Sequence, residues 1–354
     1  DTHKENESLI FMKLPTHILV IRLSAMGDVA MTVPVLLAFS RAYPEVKLTI
    51  LSRTFFKPFF EDIPNLNFLE ADVYGKHKGI GLIKLANETK ELGIDAVADL
   101  HNVIRSKVIT NYLSIFGLKT ATINKGRSEK KALTLETNKN FRQLKTTHQR
   151  YADVFYKLGF PLDIKTGNTL PRKTFTQKFQ NIVGPVPKKI IGIAPFAAHD
   201  SKMYPLELMR EVIVKLDETG LYSLLLFGGG SEEISKLKSI AEEFPTVTSV
   251  AGTLSFKEEL ALISNLDLML SMDSGNGHLA AMYGVPVISL WGVTHPYAGF
   301  APFGQDSKNN LLADRIKYPS IPTSIYGNKY PEGYENAMKT ISPQTVATKV
   351  LEIV

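Results

Sequence analysis

Two short stretches hold the residue types that could do chemistry. The first, Ser24-Ala25-Met26-Gly27-Asp28, closes a β-branched apolar run from His17 to Leu23. In open α/β sheets, ligands gather outside the carboxyl ends of strands. A carboxylate there, Asp28, could take a proton from a bound hydroxyl, which needs only hydrogen-bond reach and a suitable pKa. Asp28 could equally cap the helix that follows. The second stretch runs from Met272 to Tyr283, through Asp273-Ser274-Gly275-Asn276-Gly277-His278. Two glycines let the backbone approach a ligand closely. The helix start behind them offers unpaired N–H groups and a positive dipole end to an anion. Asp273 could also be that helix's N-cap, and the glycines could simply make a tight turn.

Two further clusters are less specific. Lys202, in His199-Asp200-Ser201-Lys202, could reach a phosphate as a point charge or sit in a solvated loop. Gly228-Gly229-Gly230 with Glu232 and Glu233 has the composition of a turn at a ribose, with an acid to take two hydroxyls. It also reads as a helix start whose acids the dipole favours. His278 and His295 have no third ligand spaced with them, so both read as hydrogen-bonding residues.

The elements that must position these residues alternate between strand and helix, twice over. In the first half, strands are expected at His17–Leu23, Lys47–Leu51, Leu66–Glu70, Ala96–Leu100 and Thr120–Ile123. Helices are expected at Val29–Ala42, Thr54–Glu61, Gly81–Leu92 and Val103–Phe116, with Gln149–Leu158 beyond a basic stretch. A linker punctuated by Pro171, Gly184, Pro185 and Pro187 follows. The second half repeats the pattern, with strands at Lys189–Ala194, Tyr222–Phe227, Thr246–Val250, Leu268–Met272 and Val287–Trp291. Helices lie between them, and a last amphipathic helix spans Pro343–Ile353. Continuous apolar strands between helices predict parallel sheets buried on both faces, and two doubly wound halves predict a cleft between domains. The expected domains are 12–170, 171–340 and a C-terminal helix at 341–354 able to pack back on the first domain.

Composition narrows the function. The chain has 354 residues, 44% of them hydrophobic and 21% charged, in keeping with two ordinary globular domains. No apolar run approaches the ~18 residues of a membrane-spanning helix. The absence of cysteine excludes a disulfide framework, a thiolate zinc site, an iron–sulfur cluster and a cysteine nucleophile. GxxxxGK[ST], HExxH, GxSxG, GxGxxG and Asp-x-Asp are all missing, so neither a metal nor a bound cofactor is expected. Residues 1–11 show no secretory pattern, Met12 reads as the natural start, and the cytoplasm is the expected location.

The net charge of +6 is concentrated. Between Lys119 and Arg150 nine basic residues face only Glu129 and Glu136. Such a run is a solvated loop by default; it is also what an anionic membrane surface or phosphorylated lipid would select. Nucleic acid is not expected, since only Phe141 and Tyr151 are available for stacking.

Taken together, these motifs resemble the lipopolysaccharide heptosyltransferases, glycosyltransferase family 9. The resemblance rests on Ile18-Leu19-Val20-Ile21-Arg22-Leu23-Ser24-Ala25-Met26-Gly27-Asp28-Val29 and on Asp273 to Ala281 with Gly284-Val285-Pro286 and Leu290 to Pro296. Lys202-Met203-Tyr204-Pro205 and Leu226-Phe227-Gly228 fall between them. It implies the GT-B fold, two facing Rossmann-like domains, and a metal-independent, inverting transfer from a nucleotide-sugar, ADP-heptose being the best-known donor. By that resemblance Asp28 is the general base and Lys202 faces the diphosphate. Asp273 holds sugar hydroxyls, and Ser274, Gly275, Asn276, Gly277 and His278 face the phosphates. Glu232 (or Glu233) holds the ribose, and the backbone at Leu254 the base. Ser24, Met26 and Gly27 would line the acceptor, and Arg127, Lys130 and Lys131 would meet its phosphates at the inner face of the inner membrane. Ala197-Ala198 depart from the family pattern, which has small hydroxyl or glycine residues there. Two other functions fit the same architecture: a nucleotide-sugar epimerase, with His278 and Glu232 as its further acid–base candidates, and a silent nucleotide-sugar-binding protein.

Overall fold

The computed structural model describes residues 13–186 and 188–354; Met12 and the segment before it lie outside them. In the first half, strands β1 (His17–Ile21), β2 (Lys47–Ser52), β3 (Leu66–Glu70), β4 (Ala96–Asp99) and β5 (Lys119–Thr122) alternate with helices. These are α1 (Met26–Ala30), α2 (Thr32–Ala42), α3 (Gly81–Glu91) and α4 (Ile104–Ile115), with α5 (Arg127–Leu133) and α6 (Thr147–Leu158) following the last strand. After α7 (Gln177–Val183) come β6 (Lys189–Ala194), α8 (Leu206–Asp217), β7 (Tyr222–Leu226), α9 (Ser231–Ala241), β8 (Val247–Ser249) and α10 (Phe256–Ile263). Then follow β9 (Leu268–Met272), α11 (Gly275–Met282), β10 (Val287–Trp291), β11 (Asn310–Leu312) and α12 (Pro343–Ile353).

The chain divides into two compact units. One comprises 35–124 and 149–164 together with the chain up to Ala25; the other comprises 26–34, 125–148 and 165–354. The sequence-based boundary at 170 therefore differs at two excursions, Met26–Pro34 and Lys125–His148, which cluster with the second unit.

Among the described residues, the first unit holds a parallel five-stranded sheet in the order β3-β2-β1-β4-β5. The second holds a parallel six-stranded sheet in the order β11-β10-β9-β6-β7-β8. Both are doubly wound, and each reverses direction once, between β1 and β4 and between β6 and β9. The central strands are buried along their whole length, as β1 and β9 show, because helices cover both faces. Leu19, Ile21, Val97, Leu85 and Ile109 anchor the first core; Ile191, Ile193, Leu224, Leu268 and Leu290 anchor the second.

Four local readings needed correction. The expected helix Val29–Ala42 is two helices that break at Met31. Pro34 has no N–H to offer Ala30, so the ladder cannot run through. Within the basic stretch, Arg127–Leu133 is helical. A strand, β11, lies in the Tyr/Pro/Asn/Gly-rich segment read as loop. Finally, α12 belongs to the second unit, with Val346, Ala347 and Val350 buried in its core.

Candidate active site

In the second unit the switch point falls between β6 and β9, whose register pairs Ala194 with Ser271. The loop after β6 carries Lys202, and the turn after β9 carries Asp273. Neighbouring parallel strands thus deliver both to one edge. Lys202 Nζ lies 2.9 Å from Asp273 Oδ2, and the side chains are only 15% and 8% exposed. Thr294, in the loop after β10, donates to the same oxygen at 2.9 Å. The Asp273 backbone N–H bonds to Leu290 O, which ties the turn to the sheet.

The loop bearing Lys202 is held from several sides. Lys202 N–H bonds to His199 O, Tyr204 OH donates to Ile341 O at 2.6 Å, and Ser201 Oγ donates to Gly327 O at 2.5 Å. Gly327 has φ +78°, and a Cβ there would lie 2.6 Å from Lys202 Cγ and Cδ. Glycine at 327 therefore makes room for the lysine stem. This gives the segment after residue 300 a structural role in the site.

The tip of α11 meets α1. A Cβ on Gly27 would lie 3.0 Å from His278 Cδ2 and 3.4 Å from Gly275 Cα; a Cβ on Gly275 would lie 2.6 Å from Met26 Cε. Two glycines thus bring the segment holding Asp28 against the helix start holding His278. Asp28 is half-buried in the first turn of α1. Gly277 serves packing: a Cβ there would meet Ser271 Oγ at 2.7 Å and Pro302 and Val287 slightly further out. Ser274, the N-cap of α11, makes no side-chain cap bond.

His278 collects the charges. Burial holds its imidazole below the ordinary histidine pKa, Asp273 and Asp28 push it back up, and Lys202 lowers it again. Among the described residues its Nδ1 is buried without a hydrogen-bond partner, as is Ser274 Oγ. Buried polar atoms are rarely left so. His148, also buried, sits close enough to be depressed to about 3 by burial and then by His278. Sequence reading missed His148 and Thr294, the latter although it lies within the Leu290–Pro296 motif.

Other expected site residues lie elsewhere. Ser24, joined to Ala25 by a cis peptide, belongs to the first unit. Leu254 is half-buried ahead of α10. Glu232 is exposed on α9 and binds Lys236 at 2.6 Å, whereas Glu233 accepts the Gly229 N–H at 2.8 Å. His295 accepts the Tyr297 N–H at 3.1 Å, a hydrogen-bonding role as expected, and burial takes its pKa down to about 4, helped by Arg315.

The basic stretch is not one open patch. Lys130 is buried with its ammonium 4.3 Å from the Phe300 ring centroid. Lys139 donates to Leu133 O and Pro322 O, Lys119 to Leu158 O, and Arg150 to Asn124 O. Arg127 and Lys131 stay exposed on α5. Among the described residues, no group of three or more His, Asp or Glu is placed to hold a metal ion, and no helix is long and apolar enough to cross a membrane.

Two doubly wound units, each with a parallel sheet, define an α/β protein of the GT-B fold. Comparison with known proteins is specific. The family model for glycosyltransferase family 9 (heptosyltransferase) matches residues 82–325, and the chain belongs to that family; it is a glycosyltransferase. It is 25% identical over 295 residues to the lipopolysaccharide core heptosyltransferase OpsX of Haemophilus influenzae, covering 81% of this chain and 82% of that one. The crystal structure of a family 9 glycosyl transferase from Veillonella parvula superposes with a TM-score of 0.75 at 20% identity, covering 97% of this chain and 98% of the other. The E. coli heptosyltransferase WaaC with ADP superposes at 0.65 and 18% identity, covering 96% and 100%.

Proposed function

We propose that the chain is an inverting, metal-independent glycosyltransferase. It would move a sugar, with heptose from ADP-heptose the first candidate, to a lipopolysaccharide core or another lipid-linked saccharide in the cytoplasm. The observation that carries the reading is the Lys202–Asp273 pair at 2.9 Å on the turn after β9, with the segment bearing Asp28 packed at Gly27 against His278.

In this scheme the acceptor oxygen attacks the anomeric carbon from the face opposite the diphosphate. Asp28 takes the hydroxyl proton as the new C–O bond forms, and the bond to the diphosphate oxygen breaks. Charge growing on the departing diphosphate meets the Lys202 ammonium, which keeps two N–H donors beyond its bond to Asp273, and the N–H groups that open α11. Asp273 uses Oδ2 for Lys202 and Thr294, which leaves Oδ1 for a sugar hydroxyl. With Ala197 and Ala198 in the preceding loop, backbone N–H groups replace hydroxyls toward the phosphates. Met26 and Gly27 border the acceptor side, with Ser24 just ahead of them in sequence. Arg127 and Lys131 are the exposed cations suited to its phosphates. Of the two acids considered for the ribose, Glu232 must leave Lys236 to reach it.

A donor panel tests this. ADP-heptose should raise the melting temperature, because a ligand bound only by the native state stabilises it, while UDP-, GDP- and CDP-sugars should not. With a lipopolysaccharide-core acceptor, NMR should show ADP release and an inverted anomeric centre. Isomerised sugar formed without acceptor would mark an epimerase instead. Donor binding with no turnover on any acceptor would mark a silent binding protein.

A further inference from the structure

We propose that the carboxyl edge of the first unit's sheet carries a docking surface for an anionic lipid bilayer, built from the loop before α3 and the first turn of α4. The proposal rests on the lipid-linked acceptor reading and gives it a surface. It starts from three exposed apolar side chains: Tyr74 at 64%, Ile80 at 90% and Ile104 at 82%. Ile80 is the N-cap of α3 and Ile104 opens α4. The two helices follow parallel strands β3 and β4 and pack against each other, so both begin at the same edge of the sheet. Arg105, in the first turn of α4, lies 5.0 Å from the Tyr74 ring centroid and ties the loop to that turn.

The loop is built, not loose. Asp72 accepts the N–H groups of Gly75 and Lys76, each at 3.0 Å. His77 turns inward, fully buried, accepting Asp72 N–H through Nδ1 and lying 3.5 Å from Glu88 through Nε2. A Cβ at Gly81 would lie 2.3 Å from Lys76 O, so the chain folds back tightly onto α3. A loop ordered to this degree, yet presenting isoleucine to water, has its apolar partner outside the chain.

Charge identifies that partner. Residues 74–84 hold Lys76, Lys78 and Lys84 and no carboxylate, and residues 100–110 hold Arg105 and Lys107 and no carboxylate. None of these five makes an ion pair among the described residues. Beside Ile80 the three lysines line an open depression of about 760 Å³, with Glu88 and Glu91 also on its wall. Apolar tips beside cations that outnumber the nearby carboxylates match the interface of an anionic bilayer, where isoleucine and tyrosine enter the headgroup–acyl boundary and lysines meet phosphates. At the opposite ends of the same helices, Lys90 Nζ lies 3.3 Å from the ring centroid of Phe116.

Vesicle sedimentation without donor or acceptor tests the surface independently of the transfer reaction. The full chain should pellet with phosphatidylglycerol/phosphatidylcholine vesicles, pellet much less with pure phosphatidylcholine, and release as salt rises. Ile80→Glu with Ile104→Glu should weaken binding about tenfold or more, and Lys76→Glu with Lys78→Glu should do so while also removing most of the salt dependence. Both double variants should melt close to wild type and keep transfer to a delipidated, water-soluble acceptor. Failure of the wild type to pellet with anionic vesicles, or unchanged binding by either folded double variant, would overturn the proposal. So would a dimer, seen by light scattering without vesicles, that Ile80→Glu with Ile104→Glu dissolves. Intact transfer to the soluble acceptor alongside any of these would leave the enzyme reading standing.

Discussion

The helix start at Gly275 gathers charge in the fold, and the stretch from Lys119 to Arg150 gathers it in the sequence, with different outcomes. At Gly275 the polar groups converge: two carboxylates and one lysine act on a single imidazole, and two buried polar atoms lack partners among the described residues. In the basic stretch the cations disperse, several toward different internal partners while Arg127 and Lys131 stay exposed. Lys130 lies over Phe300, and Lys139 spans two carbonyls. The difference is one of positioning. Strand ends and glycine turns fix where the first set points. The second set comes from a segment whose partners are supplied by distant parts of the chain.

Lys202→Ala should cost transfer heavily. Loss of its charge at the diphosphate should lower kcat by about 10²–10³, the range for removing one donor to developing negative charge. A change below threefold in steady-state transfer would separate Lys202 from the reaction and erase the contrast.

His148 closes the basic stretch and senses His278, so it links the two regions. Its folded pKa is about 3, against ~6.5 in the unfolded chain, so the unfolded chain takes the proton first. The stability this group contributes is complete above pH 6.5 and is lost as pH falls toward 3, by up to ~1.4 kcal/mol per pH unit. His278 acts in the same direction. Urea unfolding of His148→Gln should show a flatter acid limb than wild type, and an unchanged limb would mean that His148 is not buried as a neutral ring.

A smaller effect sharpens the comparison from the other side. Lys130→Met should lose the cation–π contact and cost ~0.5–2 kcal/mol in thermal unfolding with little change in acceptor KM. Arg127→Ala should behave oppositely, raising acceptor KM with a melting temperature close to wild type. If Lys130→Met altered only KM, the buried cation would belong to the acceptor site after all.

Much of this was legible before folding. Alternating apolar runs located the strands that bring Asp28, Lys202 and Asp273 to strand ends, and the glycine spacing located the helix tip. What escaped depended on distant partners. Nothing near Lys139 in sequence announces Pro322 O, and nothing near Lys202 announces that Gly327 makes room for its stem. The pair that Glu232 makes with Lys236, four residues on, was legible in the sequence as well. Pro34 likewise marked the break between α1 and α2.

The proton-accepting role of Asp28 is tested most directly by Asp28→Asn, assayed for ADP-heptose affinity by calorimetry and for sugar transfer in the same preparation. Affinity should stay within about threefold of wild type while transfer falls by about 10²–10⁴, the usual worth of a positioned base. Transfer at the wild-type rate with unchanged affinity would contradict it, and the carboxylate would then be no more than a first-turn acid favoured by the dipole of its short helix.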